Sequence, residues 1–189
     1  MKRIGILGDI GSGKSYVANS FGYPVFNADK EVGKIYKKNK KVFLKLKKIL
    51  PKYIYSYPIN KHEITNAILS KKNNLKKIVK IVHYEVRKKM NLFLRKNKNK
   101  KFVILDIPLL LESKLDKKND ILIFIDANKD DILKKLKKRK NFNLELFYKF
   151  KKIQLPLTYK KQKSDFIIKN NFSKKGIKKD INKILNKIL

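Results

Sequence analysis

Gly8-Asp9-Ile10-Gly11-Ser12-Gly13-Lys14-Ser15 decides the fold, because it fills the pattern G-x-x-x-x-G-K-[ST]. The apolar segment Arg3-Ile4-Gly5-Ile6-Leu7 precedes it, and residues 16–21 have the character of a helix. The three glycines let backbone N–H groups turn inward around an anion. The Lys14 ammonium then reaches the β- and γ-phosphates, and the Ser15 hydroxyl is placed to ligate Mg²⁺. The pattern predicts a nucleoside triphosphate site between a strand and a helix.

The composition restricts the class of protein. The 189 residues are enough for one domain with insertions. The chain has no cysteine, which excludes disulfides and thiolate chemistry, and its two histidines form no cluster for zinc. Asp9 and Lys14 interrupt the first apolar run too early for a signal peptide, and no stretch reaches the roughly twenty apolar residues of a membrane span. We expect a cytoplasmic protein with no membrane partner.

A net charge of +35 raises the question of nucleic-acid binding. Only Arg3, Arg87, Arg95 and Arg139 among the 50 basic residues are arginine, whereas proteins that contact base edges favour the arginine fork. The lysines run along the whole chain together with many Asn and Ile, a combination that AT-rich codons supply. We therefore expect no dedicated nucleic-acid partner.

Short apolar segments alternate with helical patterns, which is typical of a parallel α/β sheet. Strands are predicted at residues 3–8, 24–27, 102–106, 121–126 and 165–168. The helical block at 30–97 is too long for a simple crossover and predicts an inserted helical subdomain. Helix starts are predicted at Asn60 with Glu63 in capping-box spacing, at Asn128 with Asp131, at Asn143 and at Ser173.

Three further segments carry polar groups, two of them at strand ends and one within the helical block. Asp29 follows the second strand, where a carboxylate can accept the proton of an attacking hydroxyl; it is equally suited to cap a helix starting at Lys30. His83 and Arg87 share a helix face, and they bind an anion or serve structure and solvation. Asp106-Ile107-Pro108-Leu109-Leu110-Leu111-Glu112 leaves the third strand, where Pro108 ends the ladder.

With Asn27-Ala28-Asp29, His83-Tyr84-Glu85-Val86-Arg87 and the late Asp165-Phe166-Ile167-Ile168-Lys169-Asn170, these segments resemble the dephospho-CoA kinase family in order and spacing. The resemblance implies an α/β P-loop kinase fold, with a five-stranded parallel sheet flanked by helices. It also implies transfer of the ATP γ-phosphate to the 3′-hydroxyl of dephospho-CoA, the last step of CoA synthesis. One domain over 1–189 would contain a core (about 1–30, 100–136 and 162–189), a helical CoA-binding region (about 31–99) and a lid (about 137–161).

The resemblance also implies roles for individual residues. Asp29, Lys14 and Arg139 would be catalytic, with Asp29 as the base and Arg139 opening the lid. Ser15 would hold Mg²⁺, and Gln154 matches the family's lid glutamine. ATP would be bound by Gly8, Gly11, Ser12, Gly13, Lys14, Ser15, Tyr16 and Asn170, the last near the adenine. Dephospho-CoA would be bound by Asp29, His83, Arg87, Pro108, Leu109, Leu110 and Glu112.

Some positions depart from the family's pattern. Asp9 stands where glycine is usual, Tyr16 replaces a threonine, and Asn27 replaces an acidic residue. Lys151 and Lys152 stand where the lid often carries arginine, which keeps the charge and loses the bidentate fork. None of these changes removes an indispensable group, so we expect an active enzyme with weakened nucleotide contacts.

Two other functions share parts of this pattern. Asn128-Lys129-Asp130-Asp131 fits the guanine-reading motif N-K-x-D of a GTP-binding switch acting on RNA, but no glycine follows the third strand to sense a γ-phosphate. A helix cap explains those four residues more simply. A kinase of the same fold with another acceptor, such as a nucleoside monophosphate or shikimate, is disfavoured only by residues 83–87 and 106–112.

Overall fold

The computed structural model describes residues 1–139 and 142–189, and within them it places five strands and nine helices. In chain order they are β1 (Lys2–Gly8), α1 (Lys14–Ser20), β2 (Val25–Asn27), α2 (Ala28–Lys38), α3 (Lys40–Ile49), α4 (Lys61–Ser70), α5 (Asn74–Lys96), β3 (Phe102–Asp106), β4 (Ile121–Asp126), α6 (Lys129–Lys137), α7 (Leu144–Lys152), α8 (Leu157–Gln162), β5 (Phe166–Lys169) and α9 (Lys174–Ile188). The chain divides into a first unit (Met1–Asn27, Asn97–Phe142 and Lys151–Leu189) and a second unit (Ala28–Lys96 and Asn143–Phe150). Residues 140 and 141 of the predicted lid lie outside the described residues.

The first unit is built on a parallel sheet with the strand order β2-β3-β1-β4-β5. The five predicted strands are confirmed, each with its ends within one residue of the prediction. Their apolar runs suit strands that are covered on both faces. β1 is the central strand, and its Ile4 lies opposite Ile104 of β3 on one side and Ile121 of β4 on the other.

Each face of β1 packs against different elements. α1 and α9 cover one face, where Ile4 and Ile6 join a buried cluster with Val17 and Ile181. On the other face α8 packs against β1. Gly5 lies there directly under the Leu110 side chain, because a Cβ at Gly5 would come within 2.6 Å of Leu110 Cδ2. The buried core of the sheet therefore extends along β1 to the point where the glycine-rich loop begins, and it holds the loop's first residue in place.

The predicted helix starts are confirmed, with one correction. Asn128, Asn143 and Ser173 each accept a backbone hydrogen bond at the start of the following helix, so the N-K-x-D match is a helix cap. Asn60 caps α4 by accepting from the His62 N–H. The predicted capping box is wrong, because the Glu63 carboxylate accepts instead from the Tyr55 and Ser56 backbone N–H groups and the Ser56 hydroxyl.

The second unit contains the predicted helical block, which begins at Ala28 and forms α2, α3, α4 and α5. The 23-residue α5 packs against the other three helices. Lys149 belongs to the same unit, and its ammonium donates to the carbonyls of Ile68 and Leu69 near the end of α4. No helix among the described ranges is long and apolar enough to cross a membrane.

Candidate active site

The glycine-rich loop, residues 8–15, follows the carboxyl end of β1, where the strand order places β3 on one side and β4 on the other. Ligands of open α/β sheets bind at such a switch point. Gly13 adopts a φ of 90°, and a Cβ there would lie 2.4 Å from Asn170 Nδ2. Only glycine fits this position without displacing Asn170. We call residues 8–15 the phosphate loop from here on.

Donor groups of the phosphate loop fit a triphosphate. The Lys14 ammonium is buried and donates to the carbonyls of Gly8 at 3.2 Å and Asp9 at 2.6 Å. Ser12 is fully buried, and its hydroxyl has no hydrogen-bond partner among the described residues. A buried hydroxyl without a partner is costly unless a ligand completes it. Ser15 is exposed at the start of α1, so its hydroxyl can reach a hydrated Mg²⁺.

Asp9 is the loop residue that departs from the family's pattern, and both of its carboxylate oxygens have partners. Oδ1 accepts from the Ile10 N–H at 2.7 Å, and Oδ2 lies 3.5 Å from the Lys151 ammonium. The carboxylate is therefore fixed by the loop's own backbone on one side and faces a cation on the other.

Asn170 braces the phosphate loop. Its side chain is buried, its amide donates to the Ser12 carbonyl at 2.8 Å, and its Oδ1 accepts from the Phe172 N–H at 2.7 Å. Both ends of the side chain are engaged within the protein. Asn170 therefore positions the loop, a role that the family resemblance did not supply; its predicted place near the adenine stays a prediction.

Asn27 and Asp106 join the carboxyl ends of two neighbouring strands. They are opposite one another in the pairing of β2 with β3, and the Asn27 amide donates to the buried Asp106 carboxylate. An acidic residue at position 27 would place two carboxylates in contact, whereas the Asn27 amide gives the Asp106 carboxylate a donor.

Asp29 is exposed in the first turn of α2, and the alternative prediction that it caps a helix starting at Lys30 is wrong. The helix begins at Ala28 and not at Lys30, so Asp29 lies inside the helix and does not cap it. An acidic side chain in the first turn still interacts favourably with the helix dipole. The Asp29 side chain is exposed to solvent.

Glu112 is held by a buried lysine that the sequence did not identify. Its Oε1 lies 2.7 Å from the Lys160 ammonium and accepts from the Leu155 N–H at 2.9 Å, while Oε2 is buried without a partner in the described part of the chain. Lys160 is 1% exposed. In a chain with so many lysines, no local signal distinguishes this one from its exposed neighbours.

Other residues predicted to bind the acceptor differ in accessibility. The Leu110 side chain is fully buried against Gly5, so it contributes to the core, whereas Pro108 and Leu109 are partly exposed. In the second unit, α5 carries both His83, half-buried, and Arg87, exposed. Burial, and next the charge of Arg87, lower the pKa of His83 and so favour its neutral imidazole.

The remaining predicted residues lie at the surface of the first unit or near it. Arg139 is exposed just beyond α6, and Tyr16 is 46% exposed on α1. Gln154 is partly exposed, and its N–H donates to the Lys151 carbonyl, which continues the chain past the end of α7. Exposure of these side chains leaves them accessible to a ligand.

The sequence comparisons agree on one family. The family model of dephospho-CoA kinase matches residues 2–175. The dephospho-CoA kinase of Wolbachia pipientis wMel is 31% identical over 191 aligned positions, covering 98% of this chain and 97% of the relative. The solved dephospho-CoA kinase from Campylobacter jejuni is similar at a TM-score of 0.62 and 25% identity, covering 99% of this chain and 97% of that one.

Two further structures show the fold alone. TT1252 from Thermus thermophilus has a TM-score of 0.77 at 24% identity and covers 100% of this chain and 97% of its own. Shikimate kinase from Acinetobacter baumannii has a TM-score of 0.55 at 13% identity, with coverage of 100% and 93%. The chain has the P-loop kinase fold and belongs to the dephospho-CoA kinase family of ATP-dependent phosphotransferases, which catalyse the last step of CoA biosynthesis.

Proposed function

We propose that this chain binds ATP through its phosphate loop and uses Asp29 as the base that activates the 3′-hydroxyl of dephospho-CoA. The observation that carries the proposal is the loop itself, where the Lys14 ammonium is buried next to Gly13 together with the Ser12 hydroxyl, which has no hydrogen-bond partner in the described part of the chain. Gly11, Gly13 and Gly8 admit the phosphates, and Asn170 keeps the loop's shape.

Each group has a defined part in the transfer. The 3′-hydroxyl oxygen forms a bond to the γ-phosphorus while the bond from that phosphorus to the bridging oxygen breaks, and ADP leaves with the electron pair. The hydroxyl proton passes to the Asp29 carboxylate. Lys14 and Arg139 place positive charge beside the transferring phosphoryl group. Mg²⁺ bound with ATP would be held by Ser15 and supplies further neutralisation of the phosphates.

The same proposal assigns the remaining segments. Dephospho-CoA contains a pyrophosphate, and the cationic Arg87 beside the neutral donor His83 suits such an anion on the helical region at about 31–99. Pro108, Leu109 and Glu112 would position the acceptor. The segment at about 137–161, with Arg139 and Gln154, would act as the lid that excludes water, so that ATP is not hydrolysed before an acceptor is bound.

Partner and location follow from the reaction. The substrates are small molecules, and the lysine excess is assigned to composition and to attraction of anionic substrates, not to a nucleic-acid partner. We place the protein in the cytoplasm, a compartment that supplies the ATP consumed in the reaction.

ADP release tests the proposal. The protein is given Mg-ATP with dephospho-CoA, AMP, shikimate or no acceptor, and the series is repeated with GTP. We expect ADP release only when dephospho-CoA is the acceptor, and faster turnover with ATP than with GTP. Turnover with AMP or shikimate, and none with dephospho-CoA, would refute the assignment of the acceptor.

A further inference from the structure

Asp9 puts a negative charge into the loop proposed to hold the phosphates of ATP. Acids are scarce in this chain, with 15 Asp and Glu against 50 Lys and Arg. A carboxylate close to a triphosphate repels it, and the repulsion is larger where the surroundings are less polar than water. An acid at this position therefore weakens donor binding unless a cation accompanies it.

The contacts of Asp9 show which partner is anchored. The Asp9 side chain is 8% exposed, and its Oδ1 is fixed by the Ile10 N–H at 2.7 Å. The Lys151 side chain, by contrast, is 43% exposed, and its ammonium lies 3.5 Å from Oδ2. Because the carboxylate is held by the backbone, it restrains the longer and more exposed lysine.

We propose that Asp9 is a positioning residue that holds the Lys151 ammonium at the phosphate loop, where Lys151 serves the terminal phosphates of the donor together with Lys14. The inference rests on the proposed function of the loop. A single residue organises both lysines, because the Lys14 ammonium lies 2.6 Å from the Asp9 carbonyl oxygen while Lys151 pairs with the carboxylate.

The distance between the Asp9 carboxylate and the Lys151 ammonium suits an exchange in which the ammonium leaves Asp9 for a phosphate of ATP. Charge-assisted hydrogen bonds are about 2.7–2.9 Å long, and the Asp9–Lys151 separation of 3.5 Å is longer. Phosphate oxygens carrying a larger charge therefore compete well for the ammonium. Asp9 reduces the conformational freedom that Lys151 loses when the donor binds, which is how preorganisation improves binding.

This role makes the effect of Asp9 depend on Lys151. With Lys151 present, the carboxylate is useful because it presents a cation to the donor. Without Lys151, only the repulsion between Asp9 and the phosphates remains. Neutralising Asp9 should therefore be harmful in the natural chain and beneficial in a chain that lacks Lys151. A residue that merely stabilised the loop would give the same effect in both.

The test is a double-mutant cycle with Asp9→Asn, Lys151→Met and the combined variant. Asparagine keeps an acceptor for the Ile10 N–H and removes only the charge, and Asp9→Gly serves as a second variant of the same position. kcat, KM for ATP and the affinity for a non-hydrolysable ATP analogue are measured for each. Lys178→Met, on the exposed side of α9, is the control for the overall loss of one positive charge.

We expect Lys151→Met to lower kcat/KM for ATP about tenfold. This is less than the roughly hundredfold cost of losing a preorganised hydrogen-bond donor that stabilises a transition state, because Lys14 remains. Asp9→Asn should lower it about threefold in the natural chain and raise it about twofold in the Lys151→Met chain, with analogue affinity following the same signs. Equal effects in both backgrounds, or a gain in the natural chain, overturn the inference. Analogue binding requires no acceptor, so this result is independent of whether dephospho-CoA is phosphorylated.

Discussion

Replacing Lys160 with methionine should destabilise the first unit severely, because it leaves a buried carboxylate without its cation. The Lys160 and Glu112 side chains are 1% and 10% exposed, and their charged atoms are 2.7 Å apart. After the substitution, Glu112 Oε1 keeps only the Leu155 N–H, while Oε2 is already buried without a partner among the described residues. Removing one member of such a pair costs about 3–5 kcal/mol of unfolding free energy.

Thermal and urea unfolding measure this loss. For a chain of this size, 1 kcal/mol corresponds to about 2–4 °C, so we expect the melting temperature to fall by about 6–20 °C. The matched control is Lys161→Met on the same helix, α8, since Lys161 pairs with Asp126 at a similarly short distance of 2.8 Å but with 46% and 37% of the two side chains exposed. An exposed pair contributes about 0–1 kcal/mol.

A second variant separates charge from packing. Glu112→Gln combined with Lys160→Met removes both charges and keeps an acceptor for the Leu155 N–H, so it should be more stable than Lys160→Met alone. The reasoning is refuted if Lys160→Met costs no more than Lys161→Met, or if the combined variant is the least stable of the three.

Other residues give further expected outcomes. Asp29→Asn should lower turnover at least about a hundredfold while ATP-analogue affinity is retained, and Glu31→Gln in the same helical turn is the control; near-normal turnover would remove Asp29 as the base. Gly13→Ala should abolish analogue binding, since its Cβ would meet Asn170 at 2.4 Å and its φ is 90°; unchanged affinity would contradict the fit of the loop. Asn170→Ala should raise KM for ATP severalfold, and an equal loss with GTP would favour bracing of the loop over contact with the base. Folding lowers the pKa of His83, so the unfolded chain binds more protons than the folded protein near pH of about 6.5, and the free energy of unfolding should fall as the pH drops through that value. The urea midpoints measured at pH 7.5 and 5.5 should therefore lie closer together for His83→Gln than for the natural chain. An identical difference in the two proteins would contradict this.

The sheet was predictable because its signal is local. Buried parallel strands are short and apolar, and each of the five is flanked by polar residues or a turn, so their ends were placed to within one residue. Caps at Asn128, Asn143 and Ser173 depend on side chains that bond their own neighbours, which a linear pattern records well.

Contacts between distant parts of the chain were not predictable. Glu63 has capping-box spacing, yet its carboxylate bonds the Tyr55–Ser56 backbone, because the loop before α4 brings those N–H groups within reach. A local boundary was also missed: the predicted start of α2 at Lys30 is two residues later than the observed start at Ala28, because Ala28 gives no capping signal. The partner of Glu112 lies 48 positions along the chain in a background of 46 lysines, and only the packing around α8 distinguishes it.

The position of β1 has a consequence for synthesis of the protein on the ribosome. β1 is made first, but both of its neighbours come from residues 102–126, and the brace on the phosphate loop comes from Asn170. The nascent chain therefore carries the whole nucleotide-binding motif long before it can bind a nucleotide in the native way. A product that terminates before residue 170 contains the motif and lacks both the Asn170 brace and α9, so it should bind ATP more weakly than the longer chain, and synthesis beyond residue 170 decides when the enzyme first becomes fully active.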